Sequence, residues 1–220
     1  MIEPNRIDLL GASADALSMI FELIWNHEEL KKTNLRIIKN TNHALDRSFE
    51  IKNMTYEIAG AEEVKGLAEH LFLGVYKSET KKAVYKFFTG KHDIAEEQFI
   101  NLIHPNSVVA NTVRMGNGIQ INPLTTVGPH AMIGNFTTIN RNASIGHHTK
   151  IGSFCTVNPG VHVAGHCDIE DNVTLGMGAL ILDGKKIGKN SVVAAGALVT
   201  KDIPENVLAM GAPAKVVKEL

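Results

Sequence analysis

An apolar side chain recurs at every sixth position between residues 103 and 199. The residue two positions before it is usually small, and the residue just after it is often glycine. A period of six fits neither an amphipathic helix nor a simply alternating strand. It predicts instead a coil of three short strands, each directing one apolar side chain inward. The 17 positions are Ile103, Val109, Met115, Ile121, Val127, Ile133, Ile139, Ile145, Ile151, Val157, Val163, Ile169, Leu175, Ile181, Ile187, Val193 and Val199.

Three strands of this kind make a coil of 18 residues, and the repeat is long enough for between five and six coils. Parallel strands in successive coils pair about 4.8 Å apart. The pattern is typical of the hexapeptide parallel β-helix, which is left-handed in its known members. Small side chains fit its tight corners, and we expect the glycines to supply the unusual backbone angles of the turns.

Residues 1–103 differ in composition from the rest of the chain. They contain ten of the twelve aromatic residues, whereas residues 104–220 contain 14 of the 19 glycines. The narrow interior of a β-helix, filled by Ile and Val, accounts for the scarcity of aromatic rings in the second half. We therefore predict two domains, 1–103 and 104–220.

Strand and helix patterns alternate in the first domain, which predicts a small, open, Rossmann-like parallel sheet. We expect strands at 7–10, 35–38, 71–75 and 99–103, and helices at 16–31 and 79–88. The turn after the first strand contains only Gly11, whereas a dinucleotide fingerprint needs three spaced glycines, which argues against NAD. Ser13 and Asp15 either cap the next helix or bind a ligand at its N-terminus, and both interpretations stay open.

The chain carries 22 basic and 23 acidic residues, for a formal net charge of −1. This balance argues against nucleic acid as the main partner.

The sequence shows neither a signal-peptide pattern nor an apolar run long enough for a membrane span, so we expect a cytoplasmic protein without a membrane partner. Cys155 and Cys167 occupy small inward positions, where a thiol is buried and inert, so we expect neither to act as a covalent nucleophile.

Several stretches resemble the sugar O- and N-acyltransferases that join a nucleotide-binding α/β domain to a left-handed β-helix. They are residues 172–178, 187–190, 194–204 and 211–215. This family includes the sialic acid O-acetyltransferases and the bacillosamine-pathway amino-sugar N-acetyltransferases, and the resemblance covers nearly the whole chain. It implies an acetyl-CoA-dependent acetyltransferase without a metal, a nucleotide-sugar or sugar acceptor, and a homotrimer with active sites between subunits.

The family's base is a histidine followed by a carboxylate residue, and residues 146–152 read GHHTKIG at that place. The resemblance makes His147 the base and puts His148 where the family has the carboxylate. By its position in the repeat His147 also points out of the coil. Histidine, with an ordinary pKa near 6.5, suits proton transfer at neutral pH. We expect His148 to stay neutral, because a charged neighbour would oppose protonation of His147. Asn140 corresponds to an asparagine that contacts the acceptor or holds the base, or it is only a turn residue.

The resemblance also implies two binding regions, although each residue in them could be purely structural. The acetyl-CoA region contains Thr156, Met177, Ala195 and Lys215. The substrate region contains Ser13, Ala14, Asp15, Lys39, Asn40 and Gly74. Asp15 departs from the family, which often has histidine there, and a carboxylate repels a diphosphate.

Three histidines, His130, His148 and His166, are spaced by 18 residues and should stack in one column. The column is either a solvated ladder or a metal site, since imidazole suits zinc.

Four functions are candidates for the chain. The first is N-acetylation of a nucleotide-linked amino sugar, and the second is O-acetylation of a sugar. A metal-dependent hydratase of the carbonic anhydrase kind and a silent binding module are the alternatives from other classes. The hydratase prediction is weakened because no two histidines here are five residues apart.

Overall fold

The computed structural model describes residues 6–41, 45 and 54–220. It divides into two compact units, Met1–Leu102 and Ile103–Leu220. The first unit is an α/β layer and the second is a left-handed parallel β-helix, which confirms the predicted fold class. Among the described residues, no helix combines the length and the apolar character needed to cross a membrane.

The first unit contains one four-stranded parallel sheet in the order β3-β2-β1-β4. Because β1 pairs with β2 on one side and with β4 on the other, its carboxyl end is the switch point of the sheet, where ligands of open α/β sheets bind. Its elements are β1 (Arg6–Leu10), α1 (Ala14–Trp25), β2 (Asn34–Lys39), β3 (Tyr56–Gly60), β4 (His70–Leu73), α2 (Ser78–Thr89) and a 3₁₀ turn (Glu96–Gln98).

Helix α1 covers the sheet with an apolar stripe. Leu17, Ile20, Phe21 and Ile24 recur at helical spacing, and each is 0% exposed. The helix is shorter than the predicted 16–31. It ends at Trp25, which is partly exposed, and turns occupy residues 27–33.

Two further predictions for the first unit need correction. Strand β3 was not predicted, because it is a half-buried edge strand with only a short apolar pattern. The predicted strand 99–103 is a single bridge from Phe99 to Leu71, followed by the separate short strand Leu102–Ile103.

The second unit is built from seventeen two-residue strands followed by two longer ones, as the period of six predicts. Three successive strands make one coil, and every third strand pairs in parallel with its counterpart one coil later. We number the three faces by these sheets. Face one contains β5 (Leu102–Ile103), β8 (Gln120–Ile121), β11 (Thr138–Ile139), β14 (Thr156–Val157), β17 (Thr174–Leu175), β20 (Val192–Val193), β22 (Val207–Met210) and β23 (Lys215–Glu219).

Faces two and three complete the triangular coil. Face two contains β6 (Val108–Val109), β9 (Thr126–Val127), β12 (Ser144–Ile145), β15 (His162–Val163), β18 (Leu180–Ile181) and β21 (Leu198–Val199). Face three contains β7 (Arg114–Met115), β10 (Met132–Ile133), β13 (Lys150–Ile151), β16 (Asp168–Ile169) and β19 (Lys186–Ile187). We call the corners 1–2, 2–3 and 3–1 after the faces that they join.

The second residue of each short strand points into the coil, and the small residue two positions before it bonds to the next coil. Ile139, Val157 and Leu175 are each 0% exposed. The Thr137 and Thr149 hydroxyls donate to carbonyl oxygens of the following coil at 2.8 Å. A buried hydroxyl satisfied in this way ties one coil to the next without cost to the apolar interior.

The glycines that follow the inward residues serve close approach rather than unusual backbone angles, so the predicted reason was wrong. A Cβ on Gly146 would lie 2.4 Å from the Ala164 carbonyl carbon in the next coil. The left-handed angles occur two residues later, at the third corner position. On corner 2–3 this third position is occupied by His130, His148 and His166, with φ of 61°, 59° and 56°. Histidine is among the residues enriched in that conformation.

Candidate functional site

His147 and His148 lie side by side on corner 2–3, and both are exposed. Their Nδ1 atoms are 3.1 Å apart, within hydrogen-bond distance. Since a ring nitrogen bears either a hydrogen or a lone pair, one Nδ1 donates and the other accepts. If His147 donates, its Nε2 keeps a free lone pair, which is the form that a base requires.

The predicted histidine column is confirmed. The His148 ring lies 4.9 Å from the His130 ring and 5.0 Å from the His166 ring, measured between centroids. Partial burial, and then the positive charges that His130, His166 and His147 would carry, lower the pKa of His148. The column therefore favours the neutral form of His148, in agreement with the expectation from the sequence.

Gly165 lies beneath the His147 ring, one coil further along the same corner; it is buried, and a Cβ on it would lie 2.8 Å from His147 Cε1. A Cβ placed on Gly165 would lie 3.0 Å from His147 Nε2 and 3.1 Å from Asp183 Oδ1. Asp183 stands two coils beyond His147 at the same corner position and is exposed. Asp183 is not among the residues predicted from the sequence, although its spacing of two coils from His147 is a usable signal.

Asn140 lies on a different corner from the two histidines. It is the first residue of corner 1–2 and is 2% exposed. Its Nδ2 donates to the Val157 carbonyl at 3.0 Å, and its Oδ1 accepts from Asn122 at 3.1 Å. These bonds give Asn140 a structural function between coils, and its predicted catalytic function stays a prediction.

The four predicted acetyl-CoA residues also lie away from corner 2–3. Met177 and Ala195 are the exposed middle residues of successive coils on corner 1–2. Thr156 is buried on β14, and Lys215 is exposed at the start of β23. Within one chain, face two separates His147 from corner 1–2. Six residues join the middle positions of these corners, a span of up to about 20 Å.

The predicted substrate residues lie in the loops at the carboxyl edge of the first sheet. Ser13 precedes α1, which begins with Ala14 and Asp15. Lys39 ends β2, Asn40 follows it, and Gly74 follows β4. The Ser13 amide donates to the Gly74 carbonyl at 3.0 Å, which joins two of these loops at the switch point. In the part of the chain that the structure describes, the Ser13 side chain makes no capping hydrogen bond, so the simple capping interpretation is not supported.

The loops at this edge approach one another closely. A Cβ on Gly74 would lie 2.4 Å from the Gly11 carbonyl oxygen, so only glycine fits there. Gly11 itself has a φ of +78°. The two glycines therefore allow the β1 and β4 loops to meet where a ligand would bind.

Both cysteines are unsuited to nucleophilic attack. Cys155 and Cys167 are each 1% exposed, inside the coil as predicted. Burial raises the pKa of Cys155 to about 12 and also raises the pKa of Cys167. Since the thiolate is the reactive form, neither side chain can supply an acyl carrier at neutral pH.

A metal ion is the other chemistry that corner 2–3 could support. His147, His148 and His166 each offer a ring nitrogen, and these atoms lie within 4.8 Å of one another. Three imidazoles with an open position would suit a catalytic zinc ion. Nitrogens bound to one tetrahedral ion lie about 3.3 Å apart, so the rings would have to move closer together.

Family models match the β-helix. Residues 124–159 and 148–183 match the bacterial transferase hexapeptide (six repeats), and residues 166–201 match the hexapeptide repeat of succinyl-transferase. Residues 124–201 of the second unit therefore match the hexapeptide repeat. The prediction of a hexapeptide-repeat acyltransferase is confirmed at this level.

Solved structures share the whole fold at low sequence identity. Perosamine N-acetyltransferase from Caulobacter crescentus, seen as a mutant with CoA and GDP-perosamine, is 22% identical, with 98% of this chain and 97% of that chain covered and a TM-score of 0.76. The acetyltransferase domain of PglB from Neisseria gonorrhoeae, with acetyl coenzyme A, is 17% identical (97% and 100%, TM-score 0.78). WeeI from Acinetobacter baumannii is 23% identical (96% and 99%, TM-score 0.76). No curated protein sequence matches the chain significantly.

Proposed function

We propose that this protein is an acetyl-CoA-dependent N-acetyltransferase that acts on a nucleotide-linked amino sugar. One observation carries the proposal: His147 is exposed on corner 2–3, its Nδ1 is engaged by His148, and among the described residues its Nε2 has no hydrogen-bond partner. The bacterial transferase repeats and the fold shared with sugar N-acetyltransferases support the same conclusion.

In this mechanism His147 acts as the base through Nε2. The acceptor nitrogen attacks the thioester carbonyl carbon, and a carbon–nitrogen bond forms while the nitrogen gives a proton to Nε2. The tetrahedral intermediate then collapses, the carbon–sulfur bond breaks, and His147 returns the proton to the sulfur. His148 accepts a hydrogen bond from Nδ1 throughout, which holds the ring in the required tautomer.

Transfer occurs directly between the two substrates. Buried thiols with raised pKa values offer no acyl carrier, which supports a ternary complex over a covalent acyl-enzyme. The location of the protein in the cytoplasm stays a prediction from the sequence.

We further propose a homotrimer in which each active site is shared by two subunits. The predicted acetyl-CoA residues on corner 1–2 are separated from His147 by the width of face two. A second copy that presents its corner 1–2 to corner 2–3 of the first would bring Met177 and Ala195 to the base. With acetyl-CoA bound at the predicted residues of corner 1–2, a single chain would not complete the site, which supports the proposed oligomer.

The acceptor's nucleotide would lie at the switch point of the first sheet. Ser13 offers a hydroxyl group and the first amides of α1, which favour an anionic group. Asp15 opposes a diphosphate, so we assign the compensating positive charge to Lys39 at the end of β2. Asn40 and Gly74 complete the lining of the loops.

The proposal is tested by incubating the protein with acetyl-CoA and a panel of GDP- and UDP-linked amino sugars, including GDP-perosamine. Thiol release and the mass of the sugar product are followed together. We expect thiol release in proportion to an acetylated amino sugar. Thiol release without acetylated sugar, or no reaction with any member of the panel, would contradict the proposal.

A metal-dependent hydratase is the second candidate, and the spacing of the three histidine nitrogens is the observation that favours it. Elemental analysis of the purified protein, together with a carbon dioxide hydration assay before and after chelation, separates the two functions. A stoichiometric metal and a hydration rate lost on chelation would favour the hydratase. Acetyl transfer that survives chelation would favour the transferase.

A further inference from the structure

The space above Gly165 is bounded by two hydrogen-bond acceptors from different coils. His147 Nε2 and Asp183 Oδ1 lie 3.0 and 3.1 Å from one point, so the gap between them is at most about twice that distance. That point itself is too close to the His147 ring to hold an atom, because it lies 2.8 Å from Cε1. A single nitrogen or oxygen atom placed between the two acceptors on the solvent side could contact both within ordinary hydrogen-bond distances. Gly165 is buried, but the His147 and Asp183 side chains are exposed, so a substrate can approach both from the solvent side.

The arrangement follows from the sequence of one corner position. Residues 147, 165 and 183 occupy equivalent places in three successive coils. Because coils are about 4.8 Å apart, side chains two coils apart normally have another side chain between them. Gly165 has no side chain, and His147 and Asp183 therefore face each other across it.

The Asp183 carboxylate is available for a ligand. Among the described residues it has no hydrogen bond or salt bridge, whereas three other acidic groups of the β-helix, Glu170, Asp171 and Asp202, have partners. Asp171, for example, accepts from the Ser153 amide at 2.8 Å, and Glu170 forms an ion pair with Lys186.

The number of N–H or O–H groups on the substrate shows whether an amine or a hydroxyl group fits between His147 and Asp183 as the acetyl acceptor. A neutral amine has two N–H groups and a lone pair, so it can donate to His147 Nε2 and to Asp183 Oδ1 and still direct the lone pair at the thioester. A hydroxyl group has one hydrogen and can satisfy only one of the two acceptors. The other protein side chain would then direct its lone pair at the substrate oxygen, on which negative charge develops.

We propose that Asp183 is a specificity-determining residue that, together with His147, selects a primary amine over a hydroxyl group as the acetyl acceptor. This inference rests on the proposed acetyltransferase function and deepens it. During attack the nitrogen becomes positively charged until His147 removes its proton, and the Asp183 carboxylate stabilises that charge. Asp183 itself neither gains nor loses a proton, and the proton passes from nitrogen to His147 and then to sulfur.

The test compares matched acceptors and matched variants. Each amino sugar of the panel that is acetylated is paired with the analogue in which a hydroxyl group replaces the amine. Rates are measured for the wild type, for Asp183→Asn, and for Asp168→Asn as a control that removes an exposed carboxylate from β16 on face three.

We expect Asp183→Asn to lower kcat/KM for the amine about 10- to 100-fold, the effect of losing a hydrogen bond to a charged group. The hydroxyl analogue should be unaffected or faster, and the control should behave as the wild type. The dissociation constant of acetyl-CoA, from titration calorimetry, should not change.

An Asp183→Asn variant that keeps its full preference for the amine would overturn this inference and leave the proposed function intact. Equal losses for amine and hydroxyl acceptors would do the same, since they would indicate a structural function. A wild-type protein that acetylates no acceptor of either kind would instead remove the proposed function, and this inference with it.

Discussion

The contact between His147 and His148 makes a prediction about how the base is held. In the described part of the chain, His148 is the hydrogen-bond partner of the His147 ring. His148→Ala frees that ring to occupy three χ1 wells, two χ2 orientations and two tautomers, about twelve states in place of one. We therefore expect kcat to fall about 10-fold. The loss should be smaller than that of His147→Ala, because general-base catalysis contributes about 10²- to 10⁴-fold.

His148→Glu restores an acceptor and should equal or exceed the wild-type rate. The two proteins should differ at low pH. A protonated His148 carries a hydrogen on Nδ1 and cannot accept, so the wild type loses both the base and its orientation as pH falls. The acid limb of its kcat/KM profile should be steeper than that of His148→Glu.

The direction in which the histidine column shifts the pKa of His148 can also be checked. The nearby histidine charges contribute to the lowered pKa of His148, so His166→Asn should raise that pKa and move the loss of activity to higher pH. The measurement is a pH–rate profile for each variant, with the acetyl-CoA dissociation constant and thermal unfolding as controls. A His148→Ala rate equal to the wild type, or a His148→Glu rate more than 10-fold lower than the wild type, would show that His148 does not hold the His147 ring.

Three further predictions concern other parts of the molecule. Cys155→Ala should leave kcat unchanged, and initial-rate lines should intersect; parallel lines would indicate an acyl-enzyme. Gly74→Ala should destabilise the protein by about 1–3 kcal/mol and raise the KM for the sugar nucleotide, because its Cβ would strike the Gly11 carbonyl. Gly66→Ala is the control, since its Cβ would meet nothing within 4 Å, and equal unfolding temperatures would contradict the expectation. Mixed oligomers of His147→Ala and Met177→Arg subunits should regain activity that neither variant has alone, and no recovery would argue against shared sites.

The β-helix was predictable because its period is long and simple. A residue that must point inward every sixth position leaves few alternatives, and 18-residue spacing also predicted the stack of His130, His148 and His166. The inward thiols of Cys155 and Cys167 followed from the same count. In the α/β unit, by contrast, apolar runs predicted β1, β2 and β4 but not the half-buried edge strand β3.

Interactions between coils were harder to predict than positions within them. Gly146 resembles a turn residue in the sequence, yet it is needed because the next coil passes close to it. Asn140 resembles a catalytic residue, whereas the structure shows its amide bonded to Asn122 and Val157. Asp183 lies close to His147 only because Gly165, between them, has no side chain. A pattern that considers one residue at a time cannot predict this contact.

The most direct test of the proposed mechanism is the rate of acetyl transfer by His147→Ala, measured with acetyl-CoA and a nucleotide amino sugar that the wild type accepts. We expect a loss of about 100-fold or more in kcat, with the acetyl-CoA dissociation constant and the unfolding temperature unchanged. Full activity in this variant would contradict the assignment of His147 as the base.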